Sequence, residues 1–177
     1  MAIAFENETR LKTVDAVADQ ILVAARTAPK GKGRDTLILA KLSGDDLEKL
    51  AAKMVEISEE TGLKFFNRDA ENVRNSQIVI VLGTRIEPLP MPECGYCGHG
   101  SCAVKLKYPE VPCAFNTIDL GIAAGVAASI AADHRIDSRI MYSAGKAVKE
   151  LDLLNEKVGP VLCIPLSVSA KSPYFDR

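Results

Sequence analysis

Apolar residues recur at helical spacing near the start of the chain. Leu11, Val14, Val17, Ala18, Ile21, Leu22, Ala25 and Ala28 fall at i, i+3, i+4 and i+7, which predicts a helix over 8–27. Pro29 stops it, and Lys30-Gly31-Lys32-Gly33 forms a loop. Residues 35–42 are short, apolar and bounded by turn signals, so they read as a buried strand. Ser43-Gly44-Asp45-Asp46 supplies an N-cap and an acidic first turn for a helix to Thr61, and Gly62 is placed to end it. Asn67 reads as the cap of a further helix through Asn75. Residues 77–83 are the clearest strand, β-branched at four of seven positions. Thr117 or Asp119 opens a long helix through His134, followed by a short strand at 138–142 and a short helix at 146–151. Residues 161–168 form a last strand, which Pro165 consigns to an edge or a bulge. The remaining tail reads as irregular.

Strands and helices alternate, which indicates a layered α/β or α+β architecture. The periodicity lapses only over 85–113, where Pro88, Pro90 and Pro92 accumulate. The expected organisation is one domain over 1–177, with 85–113 inserted in it as a loop. The segment at 117–134 is apolar on nearly every face, as a buried core helix would be. Gly121, Gly125 and Ser129 lie four apart and make a smooth ridge on which another helix could pack closely, so a homodimer is expected.

Composition narrows the classes. Of 177 residues, 47% are hydrophobic and 25% charged, close to a globular average and far from a disordered chain. Lys and Arg number 22 against 23 Asp and Glu, a net charge of −1 that gives nucleic acid nothing to grip. The best uncharged run, Leu120 to Ala132, has 13 residues and falls short of the roughly 18 a membrane span needs. The first ten residues lack a basic stretch before Glu6, so no signal peptide is expected. A cytoplasmic location follows as the expectation.

Cytoplasm matters for the cysteines. Cys94, Cys97, Cys102 and Cys113 fall within 20 residues, with the spacing Cys-x2-Cys-x4-Cys-x10-Cys. In a reducing compartment such a group points to metal rather than disulfides. Cys-x2-Cys brings two thiolates onto one metal or cluster edge from a single tight turn. Gly95 and Gly98 let that backbone fold closely, with amides free to bond to sulfur, and Cys102 follows as a helix begins. Four thiolates suit either an iron–sulfur cluster, of two or four irons, or tetrahedral zinc. His99 lies inside the loop and could join the ligands or stay solvated. Cys163 lies in an apolar strand and reads as a small buried hydrophobe. Lys30, Lys32 and Arg34 concentrate three charges among two glycines, either as a solvated turn or as an anion-binding loop; the P-loop pattern is absent. No hydrolase or dinucleotide motif is present.

The segments ECGYCGHGSC, CAFNTIDLGIAAGVAAS and DSRIMYSAGKAV resemble a family of prokaryotic proteins described as containing a ferredoxin domain. The cysteine segment is also similar to the four-iron cluster loop of corrinoid-protein and electron-transport subunits. The resemblance implies Cys94, Cys97, Cys102 and Cys113 as ligands of a 4Fe-4S cluster, and a role in electron transfer or redox sensing. A second resemblance concerns the frame. The helix ending in AARTAPKGKGRDTLILA is similar to the pattern of flavin-dependent nitroreductases. It implies a nitroreductase-like mixed sheet flanked by helices, an intertwined homodimer, and FMN at the interface. Lys30, Lys32 and Arg34 would then be the flavin or anion loop, and a flavin-linked oxidoreductase is conceivable. The rival expectation is a structural zinc site in a scaffold or interaction protein without catalysis.

Overall fold

A computed structural model describes residues 3–175. A central sheet lies between two layers of helices. On one face pack α1 (Glu6–Thr27) and α5 (Ala114–Asp133); on the other pack α2 (Asp45–Thr61), α3 (Phe65–Arg74) and α6 (Tyr142–Glu150). The strands β1 (Leu37–Ser43), β2 (Ile78–Arg85), β3 (Asp137–Ser138) and β4 (Val158–Ser167) stand in the order β1-β2-β4-β3. All three pairings are antiparallel, where a mixed sheet is expected. The period-2 alternation of β2 divides the core: Ile78, Ile80 and Leu82 face α1 and α5, while Val79 and Val81 face α2, α3 and α6.

Local sequence explains most boundaries. Ala28 precedes Pro29 and is driven to an extended ψ of 141°, which ends α1. Gly62 closes α2 in the left-handed conformation at φ 74°, with its amide on the Ser58 carbonyl. Three helix starts differ from the expected ones. Asn67 lies inside α3 and does not cap it, because the chain reverses directly after Gly62 to bury Phe66 against α2. Thr117 and Asp119 lie inside α5, which begins at Ala114 with Cys113 as its N-cap residue. The helix α6 starts at Tyr142, where the Ser143 hydroxyl donates to the buried Asp69 carboxylate at 2.6 Å.

The sheet holds two further differences. The short strand expected at 138–142 reduces to Asp137–Ser138 and a single bridge between Met141 and Cys163. Between them, Arg139 turns aside to donate to the Tyr174 carbonyl. Strand β4 is an inner strand, although it contains Pro165. Cys163 exchanges both backbone bonds with Met141, so residue 165, two further on, also points its backbone to that side. There it meets the gap between the Met141 bridge and β3, and the missing N–H costs no ladder bond.

Helix α5 has 20 residues and a mean hydropathy of 1.4 over its most apolar window. By length and composition alone it is long enough to cross a membrane, contrary to the 13-residue expectation, since polar uncharged positions and the single Asp119 do not interrupt it. Its Leu120, Ala123, Ala124, Ala127 and Ala131 are buried against α1 and the sheet.

Cys163 is fully buried on β4, away from the other cysteines, and burial pushes its thiol well up. A raised value in the fold makes the stabilisation complete below the unfolded thiol value of about 8.5 and lost as pH rises beyond it. Two units above that value, near pH 10.5, the loss reaches about 2.7 kcal/mol. Urea unfolding of thiol-reduced protein at pH 8 and 10.5 measures it; Cys163→Ala should start less stable but lose less on the alkaline side.

Candidate metal centre

Residues 86–101 leave the end of β2 with little regular structure, and the chain then makes one short helix, α4 (Cys102–Lys105). Contacts within the segment and to the frame hold it in place. The Lys32 ammonium donates to the Pro90 carbonyl at 2.7 Å. The Cys102 thiol donates to the Leu89 carbonyl at 3.7 Å. The Tyr96 ring stacks on Phe115 of α5, centroids 5.8 Å apart. The His99 ring stacks on Tyr108 at 4.9 Å. Leu89 itself is buried.

Two polar residues in the first turns of α5 hold the neighbouring loops. Asn116 accepts from the Glu87 amide at 3.2 Å, just before the proline run. Both oxygens of Asp119 accept from the Gly31 amide, at 3.1 and 3.2 Å. Each is nearly fully buried, so these bonds are strong constraints. A Cβ at Gly31 would stand 2.6 Å from Leu89 Cδ2, so glycine lets the 30–34 loop close against the cysteine segment. Asp119 was, with Thr117, one of the two expected openers of this helix; its side chain is claimed by a tertiary partner instead.

The four clustered cysteines come together on one cavity of about 290 Å³. Cys94 and Cys97 stand on a turn closed by the Gly98 amide on the Gly95 carbonyl at 2.9 Å; both glycines have positive φ, 60° and 79°. That amide is therefore engaged within the turn rather than left for sulfur. Cys102 opens α4, whose end Ser101 caps by accepting from the Val104 amide. Cys113 is buried at the N-terminus of α5, where the helix dipole favours a negative charge on its sulfur. Pro88 to Pro92 form the apolar wall, and His99 and Lys105 complete the lining.

Among the described residues, no three His, Cys, Asp or Glu side chains converge closely enough to hold one metal ion. A tetrahedral zinc site with bonds of about 2.3 Å needs sulfurs roughly 3.8 Å apart. Four cysteines around one apolar cavity are a donor set that suits either an iron–sulfur cluster or tetrahedral zinc. The donor set, four thiolates in an apolar surround, fits such a group.

The 30–34 loop behaves differently from an open anion site. Lys30 donates to the Arg26 and Ala28 carbonyls, Lys32 to Pro90, and Arg34 pairs with Glu87 at 3.3 Å. All three cations thus meet protein acceptors, and two of them lead into the cysteine segment. Lys105 is the lining residue that no pattern in the sequence signals. Asp119 had a signal, a carboxylate in the interior of a largely apolar helix.

The fold recurs among solved structures. A nitroreductase family protein from Clostridium novyi NT matches 99% of this chain and 79% of its own, with TM-score 0.61 and 20% identity. A nitroreductase with bound FMN from Bacteroides fragilis NCTC 9343 matches 88% of this chain and 77% of its own, with TM-score 0.60 and 14% identity. At such identities the likeness is one of fold. In sequence, an uncharacterized protein of Archaeoglobus fulgidus is 44% identical over 161 residues, covering 87% of this chain and 86% of its own. Residues 110–177, which include Cys113 but not the other three clustered cysteines, match the family described as "Uncharacterized protein containing a ferredoxin domain (DUF2148)". On these matches, the chain belongs to that ferredoxin-domain family and carries it on a nitroreductase fold.

Proposed function

We propose that this protein is an iron–sulfur redox protein of a reducing compartment such as the cytoplasm, in which Cys94, Cys97, Cys102 and Cys113 hold a four-iron cluster. The observation that carries the reading is the shared cavity. Four cysteines from a turn, a short helix and the start of α5 line one apolar space. When bound, such a cluster takes up and releases single electrons. The chain's own part is to supply thiolates, exclude water with Pro88, Leu89 and Pro90, and hold the segment through Lys32 and Asn116. Electron transfer or redox sensing follows from that chemistry.

The nitroreductase fold supports a flavin link, with electrons passing between FMN and cluster. A flavin phosphate at Lys30, Lys32 and Arg34 would take over contacts that Pro90 and Glu87 make in the present arrangement. The homodimer reading is supported by α5. Ile118, Gly121, Ile122, Gly125 and Ser129 form an exposed, smooth face on the side away from α1.

Anaerobic purification of the full chain tests the proposal, with iron, sulfide, zinc and flavin measured on one sample. About four irons and four sulfides per chain are expected, with broad visible absorption that bleaches under dithionite. Stoichiometric zinc without colour overturns the redox reading in favour of a structural site. Flavin released on acid treatment decides the flavin link, and the mass in solution decides the dimer.

A further inference from the structure

Lys105 is 2% exposed, one of the most deeply buried side chains in the protein, and it lines the cysteine cavity. It lies one turn after Cys102 on α4, with its backbone amide on the Ser101 carbonyl. Its ammonium has no hydrogen bond and no ion pair among the described residues. Glu93 lines the same cavity, yet no ion pair joins the two among those residues. The ammonium is not itself fully enclosed, and the residue lines the cavity, so an unpartnered cation in this largely buried place favours an anion there. The negative charge that this cavity is built to gather belongs to its four thiolates.

We propose that Lys105 is a positioning charge for the cluster: its ammonium, on the lining of the cavity, offsets the negative charge of the four-thiolate centre and raises its reduction potential. The inference rests on the cluster reading above and goes beyond it by assigning the residue that tunes the centre. Adding one electron adds one negative charge, and a fixed positive charge in a water-poor cavity favours that state. The methylene stem of Lys105 packs among the apolar residues of the cavity, so charge and packing must be separated experimentally.

The test uses the full chain, purified anaerobically, as wild type, Lys105→Met, Lys105→Gln and Lys105→Arg. Iron and sulfide content are measured first, then the midpoint potential by dye-mediated titration with dithionite. Lys105→Met and Lys105→Gln should keep iron and sulfide but hold about tenfold fewer reduced centres at a fixed ambient potential, a midpoint about 59 mV lower. Lys105→Arg should stay near wild type. Loss of the cluster from both uncharged variants, with retention in Lys105→Arg, also supports the inference. An unchanged midpoint in loaded Lys105→Met overturns it, as does an equal shift or an equal loss of cluster in Lys105→Arg. Wild-type protein without iron and sulfide overturns the cluster reading itself and takes this inference with it, a failure visible before any variant is compared.

Discussion

Protein with Cys97 replaced by serine is expected to come through anaerobic purification without iron, sulfide or visible colour, and with residues 86–101 loosened. Cys97 stands on the tight turn between Gly95 and Gly98, so no neighbouring thiol can take its place without remaking that turn. A serine oxygen is a poor substitute for thiolate toward iron. The binding energy of a cluster is also ordering energy for the chain around it. Without it, the segment keeps the Glu87 contacts with Asn116 and Arg34 at its start, the Lys32–Pro90 bond, the Cys102–Leu89 bond and two ring stacks. Amide hydrogen exchange should therefore speed up over 86–101. The rest of the domain should stand, because neither hydrophobic cluster draws a residue from 86–113. Far-ultraviolet circular dichroism close to wild type would confirm that the effect is local. Iron content equal to wild type would remove Cys97 from the ligand set.

Gly145→Ala is expected to destabilise the fold by at least about 3 kcal/mol, a fall in Tm of about 10 °C for a chain of this size. Helix propensity alone gives the opposite sign, since alanine in a helix interior is better than glycine by about 1 kcal/mol. Packing decides the matter. A Cβ at Gly145 would lie 1.9 Å from the Val161 carbonyl oxygen and 2.6 Å from its carbon. Those are backbone atoms of β4, the inner strand, and they cannot turn aside as a side-chain tip can. The helix α6 would have to lift from the sheet, exposing Ala144, Ala147 and Val148 of the core. A thermal melt at neutral pH reads the sign directly. An unchanged or higher Tm would mean that α6 does not approach β4 so closely.

The four cysteines were recognisable as a candidate metal-binding group because their spacing is local and thiolate chemistry is narrow. The helix pattern over 8–27, the strand at 77–83 and the layered architecture were equally readable, since amphipathic periods are written residue by residue. Several features escaped that kind of reading. Asp119 looked like a helix opener, but a cap is a local contact and its partner, the Gly31 amide, lies 88 residues away. Asn116, which holds the Glu87 amide 29 residues away, was not singled out at all. Pro165 argued for an edge, and only the position of the Met141 bridge explains why an inner strand accepts it. Gly145 sat in a stretch whose helix was expected to begin one residue later, at Lys146, and nothing nearby announces Val161 as its neighbour.

The sequence by itself thus determined the chemistry available: four thiolates on a proline-rich insertion, a buried thiol at Cys163, and helices and strands in alternation. These are properties of residue type and spacing, and they need no knowledge of what lies across the fold. Tertiary structure alone decided that the cysteines line a common cavity, that the cations of the 30–34 loop reach into protein carbonyls and a carboxylate, and that Lys105 is buried in the lining of that cavity. Burial and partnership are set by segments distant along the chain, and a lysine in a short polar stretch carries no local mark of the cavity that closes over it.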